Sequence, residues 1–258
     1  MILRLASRVG LLLLTLLFWT GCITEQANTA AGTKVLRVGV TANSPPIISK
    51  SGGQYVGVEA EFARRLAHRL GVQPQFVDMP FNQLLPALDQ GKIDIIMSGM
   101  TVTALRTPLA QFCQPWGASG QSLLVRTSDL WTYSYPEVVF YLKTRIGVEK
   151  GSIAAALMKR KNPKATVTDY SSPQAAAGAL KANRIDVVIA DAPVIWRLGS
   201  LHPGSLTAVR KLLTTEDLAW AVRRNDTELL NAANAAIQQW RADGTLANII
   251  SSNLPLAQ

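Results

Sequence analysis

Two short stretches carry side chains able to hold a small charged molecule. SGMTVTALR, residues 98–106, sets Ser98, Gly99, Thr101 and Arg106 directly after the apolar run IDIIM, and IADAP, residues 189–193, sets Asp191 after IDVV. An apolar run that halts on Ser-Gly and continues through threonines reads as a strand end turning into a helix, with Thr101 or Thr103 as the N-cap. Backbone N–H groups and the positive end of the helix dipole collect at such a turn, and the Arg106 guanidinium adds two parallel donors close by. That combination suits a carboxylate, whereas Asp191 suits a cation. A molecule with both charges near one carbon is an α-amino acid. The plainer alternative is that Arg106 pairs with a surface Asp or Glu and Thr101 only caps a helix.

Whether the two stretches meet depends on the elements that carry them, and a repeat bears on this. PALDQGKIDIIMSG (86–99) and GALKANRIDVVIAD (178–191) share, at equal spacing, Ala-Leu, a basic residue, Ile-Asp, three aliphatic or Met positions and a small residue. Each reads as a helix end, a polar turn and an all-apolar strand of the kind buried on both faces of a parallel sheet. Around the first copy, VLRVGV (35–40) and QPQFVDM (73–79) read as strands, and EAEFARRLAHRLG (59–71) as an amphipathic helix with Phe62, Leu66 and Leu70 on one face. Around the second, TRIGVEKGS (144–152) reads as a strand entering the helix SIAAALMKRK, followed by the strand ATVTDYS (165–171).

The expected fold class is therefore α/β, with two lobes, each a mostly parallel sheet with flanking helices. Lobe one spans 34–122 and 219–258, lobe two spans 127–214, and the apolar connectors SLLVRTS (122–128) and LAWAVRR (218–224) serve as hinge strands. The stripe Leu229, Ala233, Ala236 and Trp240 returns the last long helix to lobe one. Ligands of open parallel sheets sit beyond the carboxyl ends of the strands, so Ser98-Gly99 and Asp191 are expected to face each other across a cleft.

Composition narrows the function classes. With 258 residues, 48% apolar and 17% charged, the chain can bury a core, and its net charge of +9 is basic without a nucleic-acid signature. The one dense basic run, Lys159-Arg160-Lys161, lacks interleaved aromatics and reads as a solvated helix face, so no nucleic-acid partner is expected. His68 and His202 are the only histidines and neither a metal cluster nor a Ser-His-Asp triad can be built around them. No glycine loop has the flanking strand and helix of a phosphate cradle, so no cofactor is expected.

The first 22 residues, MILRLASRVGLLLLTLLFWTGC, have two arginines, an apolar run and small residues before a cysteine, the pattern of an export signal. They resemble a bacterial lipoprotein signal with Cys22 as the lipidated residue, although Trp19 departs from that pattern. An ordinary cleaved signal or an uncleaved anchor is the alternative. Residues 23–33 (ITEQANTAAGT) read as a flexible tether, and Cys113, the only other cysteine, is left unpaired.

The chain from about Lys34 to Leu254 resembles the extracytoplasmic amino-acid-binding proteins of ATP-driven importers, solute-binding protein family 3. The resemblance rests on YVGVEAEFARRLAHRLG, LLPALDQGKIDIIMSGMTVTALR, IGVEKGS, IDVVIADAP and ADGTLANI. It implies a type II periplasmic-binding-protein clamshell that is monomeric, exported and partnered by a membrane ABC permease. It further implies that Arg106 and Thr101, helped by Ser152, hold the ligand α-carboxylate. The Gly99 carbonyl and Asp191 would then hold the α-ammonium, and Phe81 would form an aromatic wall. Where members for basic amino acids tend to carry Asp and Tyr, this chain has Thr41 and Ser44, and Ile47 replaces a usual aromatic. A polar or neutral amino acid is favoured on that ground, while Glu149, before Lys150-Gly151-Ser152, keeps a cationic ligand open. Ala104-Leu105 stands for the usual Pro-Glu and Trp116 for a usual Tyr. A binding protein rather than an enzyme is expected. The alternatives are a cyclohexadienyl dehydratase-like enzyme with Glu149 as its acid, and a sensory module on the same scaffold.

Overall fold

The run VLRVGV forms the strand Val35–Val40, in which Leu36, Val38 and Val40 are buried. The computed structural model describes residues 34–254; the stretches expected to be an export signal and a tether, with Cys22, lie outside the described residues. Val35–Val40 is flanked in parallel by Gln73–Asp78 and Ile95–Ile96, and Ala221–Val222 and Gln111–Phe112 complete the sheet in antiparallel sense. A second five-stranded sheet has the same plan. Arg145–Glu149 runs parallel between Thr166–Tyr170 and Val187–Asp191, and Gln121–Arg126 and Leu206–Ala208 add antiparallel strands. The helices Val58–Arg69 and Leu84–Asp89 make the crossovers of sheet one, and Ile153–Lys161 and Pro173–Lys181 those of sheet two.

The Ile-Asp shared by the two repeat copies has a structural role. Asp94 accepts from the Arg37 backbone N–H at 2.9 Å and from its guanidinium at 3.0 and 2.6 Å. Asp186 does the same with Arg145, at 3.0, 3.1 and 2.5 Å. Each clamp ties the start of a central strand to the turn before its neighbour, and the registers Val38–Ile95 and Ile146–Val187 follow. The Arg145 hydrogen bonds hold the Asp186 carboxyl down at about 2, outweighing its burial. At Asp94 burial works upward, but Arg37 and Arg223 prevail and the carboxyl is lowered. The same turn and strand are thus built twice, and both strands end at the same edge of their sheets.

The chain crosses between the sheets twice, along an antiparallel pair formed by Gly117–Ser119 and Glu216–Leu218. These crossings differ from the connectors expected at 122–128 and 218–224. SLLVRTS mostly lies inside sheet two as Gln121–Arg126, buried over its first five residues, and LAWAVRR contributes Ala221–Val222 to sheet one. The apolarity that suggested a bridge reflects burial on both faces of a sheet. The actual crossings are short and carry small and acidic residues.

The helix Thr227–Ala242, capped by Asp226 accepting from the Leu229 N–H at 3.1 Å, returns to sheet one. Its Trp240 stacks on Phe62 at 6.1 Å between ring centroids, and Trp220 and Trp116 approach the same Phe62 ring at 5.4 and 5.3 Å. This aromatic cluster ties three remote segments together, each large ring contributing about 2 to 3 kcal/mol of burial. Among the described residues no helix is long and apolar enough to cross a membrane.

Candidate functional site

Ser98 and Gly99 follow the end of Ile95–Ile96, and Asp191 closes Val187–Asp191, so both repeat copies deliver their last residues to one cavity. Ser44, Phe81, Thr101, Arg106, Glu149 and Ser152 line it as well. All nine residues named from the sequence therefore border a common space.

The segment after Gly99 is not a helix. Residues 104–109 form successive turns, with N–H bonds from Arg106 and Thr107 to the Thr103 carbonyl and from Leu109 and Ala110 to that of Arg106. The Val102 N–H is committed to the Asp217 carbonyl, Thr101 bridges to Leu218, and Pro108 has no N–H to give. The helix start at the cavity belongs instead to sheet two. There Ser152 caps Ile153–Lys161, accepting from the Ala155 N–H at 3.3 Å. The helix start expected next to Arg106 in sequence is thus found in the other sheet.

Arg106, 8% exposed, donates to the Thr101 carbonyl at 3.0 Å and across the cleft to the Gly151 carbonyl at 3.2 Å. Its guanidinium lies over the Phe81 ring, 5.3 Å from the centroid. Burial pulls its pKa down while Asp191 and Glu216 pull it up, and a guanidinium stays charged. Gly151 adopts φ 79°, and a Cβ there would come within 2.7 Å of Asn82 Cβ, so only glycine lets the two sides approach this closely. Gly99, at φ 66°, is likewise pressed on Ile47, whose Cγ2 would sit 2.9 Å from an added Cβ.

Opposite lies a group of carboxylates. Asp191 Oδ1 accepts from Gln121 Nε2 at 2.7 Å, and the same Nε2 reaches Glu216 Oε2 at 3.2 Å. Glu216 also accepts from the Thr101 hydroxyl at 3.1 Å and the Thr214 hydroxyl at 2.5 Å. Burial, with Glu216 nearby, pushes Asp191 up to about 6, against the Gln121 hydrogen bond and Arg106. Burial and then Asp191 push Glu149 up to about 8, and its Oε1 is buried without a hydrogen-bond partner. Ser98 is largely occupied, its hydroxyl accepting from the Thr41 N–H at 2.9 Å.

Residues 36–254 match the family model of bacterial extracellular solute-binding proteins, family 3. The chain belongs to this family. Among its relatives is the L-arginine-binding protein of Pseudomonas aeruginosa, 30% identical over 237 residues, covering 86% of this chain and 88% of that one. A solved ancestral arginine-binding protein bound to arginine superposes with TM-score 0.78 at 30% identity, over 86% of this chain and 98% of the other. An ancestral amino acid-binding protein described as a precursor of cyclohexadienyl dehydratase reaches TM-score 0.80 at 31% identity, over 86% and 96%.

Three polar residues that line or brace the cavity of this family 3 protein escape a reading of the sequence. Gln121 opens the sheet-two strand just after the first crossing and Glu216 opens the second crossing strand, where nothing local marks them. Glu59 is different. It is fully buried, and its oxygens accept from the Gly99 N–H at 2.7 Å and the Trp220 Nε1–H at 2.9 Å. Burial raises its carboxyl to about 7, against the Gly99 and Trp220 hydrogen bonds. Glu59, Phe62, Ala63 and Leu66 follow i, i+3, i+4, i+7 spacing, so a carboxylate inside an apolar stripe was the available sign.

Proposed function

We propose that this family 3 protein is the extracytoplasmic receptor of an amino-acid ABC importer, binding one L-amino acid between the two sheets. The observation that carries the reading is that Arg106, from sheet one, and Asp191, from sheet two, border one cavity at the strand ends. Arg106, Thr101 and the Ser152 helix start take the α-carboxylate; Asp191 and the Gly99 carbonyl take the α-ammonium. The lobes built on the two sheets pivot at Gly117–Ser119 and Glu216–Leu218, and closure is favoured because the ligand satisfies a charge on each side at once. Relatives named for arginine binding support this class.

Glu149 redirects the choice of ligand. Thr41 and Ser44 argued for a polar or neutral amino acid, yet the cavity holds an unpartnered Glu149 oxygen beside Asp191. We assign Glu149 to a cationic side chain, such as that of arginine or lysine. A thermal-shift screen of the twenty amino acids followed by calorimetry should rank these first, near micromolar affinity. Glu149→Gln should weaken them roughly ten- to a hundredfold, the loss of one charge-assisted hydrogen bond of about 1.5 to 3 kcal/mol, while barely changing neutral amino acids. An unaltered preference would remove Glu149 from this role.

The pH dependence has two opposite signs. Asp191 and Glu149 have folded values, about 6 and about 8, above the ordinary carboxyl range. The folded state therefore binds their protons more tightly than the unfolded chain, so the empty protein loses stability as pH rises through the ordinary carboxyl range toward 8. A cationic ligand needs both groups ionised, so its affinity rises over the same interval. Melting temperatures at pH 5 and pH 8, with and without ligand, should show the ligand-induced shift growing as the unliganded midpoint falls.

A second reading starts from the place of Glu149: it lines the cavity beside Asp191 with a buried, unpartnered oxygen, and burial raises its carboxyl to about 8, as a general acid requires. A dehydratase activity would then release an aromatic product from cyclohexadienyl substrates, and absorbance should detect none. Delivery to a permease by a monomer anchored through Cys22 completes the proposal, and loss of membrane retention in Cys22→Ser tests the anchor.

A further inference from the structure

Gln121 is 1% exposed, and its single amide nitrogen serves two carboxylates, Asp191 at 2.7 Å and Glu216 at 3.2 Å. Both residues flank the crossing strands: Gln121 opens the first strand of sheet two that the chain enters, and Glu216 opens the strand by which it returns. The Gln121 N–H donates to the Thr214 hydroxyl at 2.8 Å, and that hydroxyl donates to Glu216 Oε1. From the other side the Thr101 hydroxyl donates to Glu216 Oε2. One chain of hydrogen bonds thus runs from Thr101, in sheet one's cavity turn, through Glu216 and Gln121 to Asp191 in sheet two.

We propose that Gln121 and Glu216 are positioning residues that hold Thr101 and Asp191 as one unit at the crossing, so that the ammonium receptor is set from the pivot of the fold. This rests on the reading of Asp191 as the ammonium partner. The chemistry of the bridge suits the task. A neutral carboxamide orients Asp191 without cancelling its charge, whereas a lysine or arginine at the same place would occupy the carboxylate that the ligand needs. Glu216, held by three donors, keeps a second negative charge near Asp191 and adds to the attraction for a cation. The titratable and charged groups facing Asp191 are then Glu216, Glu149 and Arg106; Glu216 disfavours its ionised form and Arg106 favours it.

The two residues act on Asp191 with opposite signs, which separates positioning from mere support of the fold. Glu216 raises the Asp191 carboxyl and the Gln121 hydrogen bond lowers it. The carboxyl carbon of Asp191, assigned by comparison with Asp191→Asn, is followed by NMR in the empty protein from pH 4 to pH 9. Glu216→Gln should move the midpoint to lower pH, and Gln121→Met, of similar shape, should move it to higher pH. Calorimetry at pH 7.5 with the best amino acid from the twenty should show each variant weakened roughly tenfold, equivalent to about one pH unit of proton affinity. Midpoints that stay in place or shift in the same direction overturn the inference. If the wild-type protein binds none of the twenty amino acids, the functional reading fails, while the titration still decides the network because it needs no ligand.

Discussion

Arg106→Ala should weaken amino-acid binding roughly thirtyfold to several-thousandfold, the result of removing one partner of a desolvated charge pair at a cost of about 2 to 5 kcal/mol. The side chain is 8% exposed and its two carbonyl partners, on Thr101 and Gly151, come from opposite sides of the cleft. Truncation therefore leaves the ligand carboxylate without its fork and deletes a direct bond between the two sides. Arg106→Lys keeps a charge but lacks the planar pair of donors and the fit over Phe81, so it should recover only part of the loss. Calorimetry that finds unchanged affinity in the alanine variant would remove the carboxylate assignment.

Glu59→Leu should lower the unfolding free energy by roughly 2 to 5 kcal/mol, because two buried donors, the Gly99 N–H and the Trp220 indole N–H, lose their only acceptor. Urea unfolding followed by tryptophan fluorescence measures this, with Trp220 reporting locally. Adding Trp220→Phe removes one orphaned donor, so the double variant should be less destabilised than the two single changes summed. The pH profile supplies a second check. A carboxyl at about 7 in the folded protein makes wild-type stability fall as pH rises from the ordinary range toward 7, and that part of the slope should vanish in Glu59→Leu. Affinity should fall too, since Glu59 holds the Gly99 turn from behind. Undiminished stability would show that the carboxylate is not needed as a brace.

Much of the fold was legible because its determinants are local. IDIIM and IDVVIAD carry, after their aspartates, the apolar run of strands buried on both faces, and the repeat of Ile-Asp before each marked a duplicated unit. Ser98, Gly99 and Asp191 could be named for a related reason, since strand ends of a parallel sheet converge by topology, and Thr101 and Arg106 by their chemistry beside that strand end; Ser44, Phe81, Glu149 and Ser152 came from the family resemblance. Two expectations failed where local signals were ambiguous. A threonine-rich turn before an arginine resembles a helix start, but Pro108 and the bond from Val102 to Asp217 leave only turns. An apolar strand resembles a connector, but Gln121–Arg126 is apolar because it is a buried strand.

Sequence patterning alone thus decided the elements, their twofold repetition and the residue types that reach the cavity. Tertiary structure decided who partners whom: Arg106 reaches the Gly151 carbonyl across the cleft, Gln121 joins Asp191 to Glu216, and Glu59 joins Gly99 to Trp220. Periodicity encodes which face of an element is buried, and it acts over a few residues. A hydrogen bond spanning 161 positions, as between Trp220 and Glu59, leaves no periodic trace and exists only once packing has brought the two segments together.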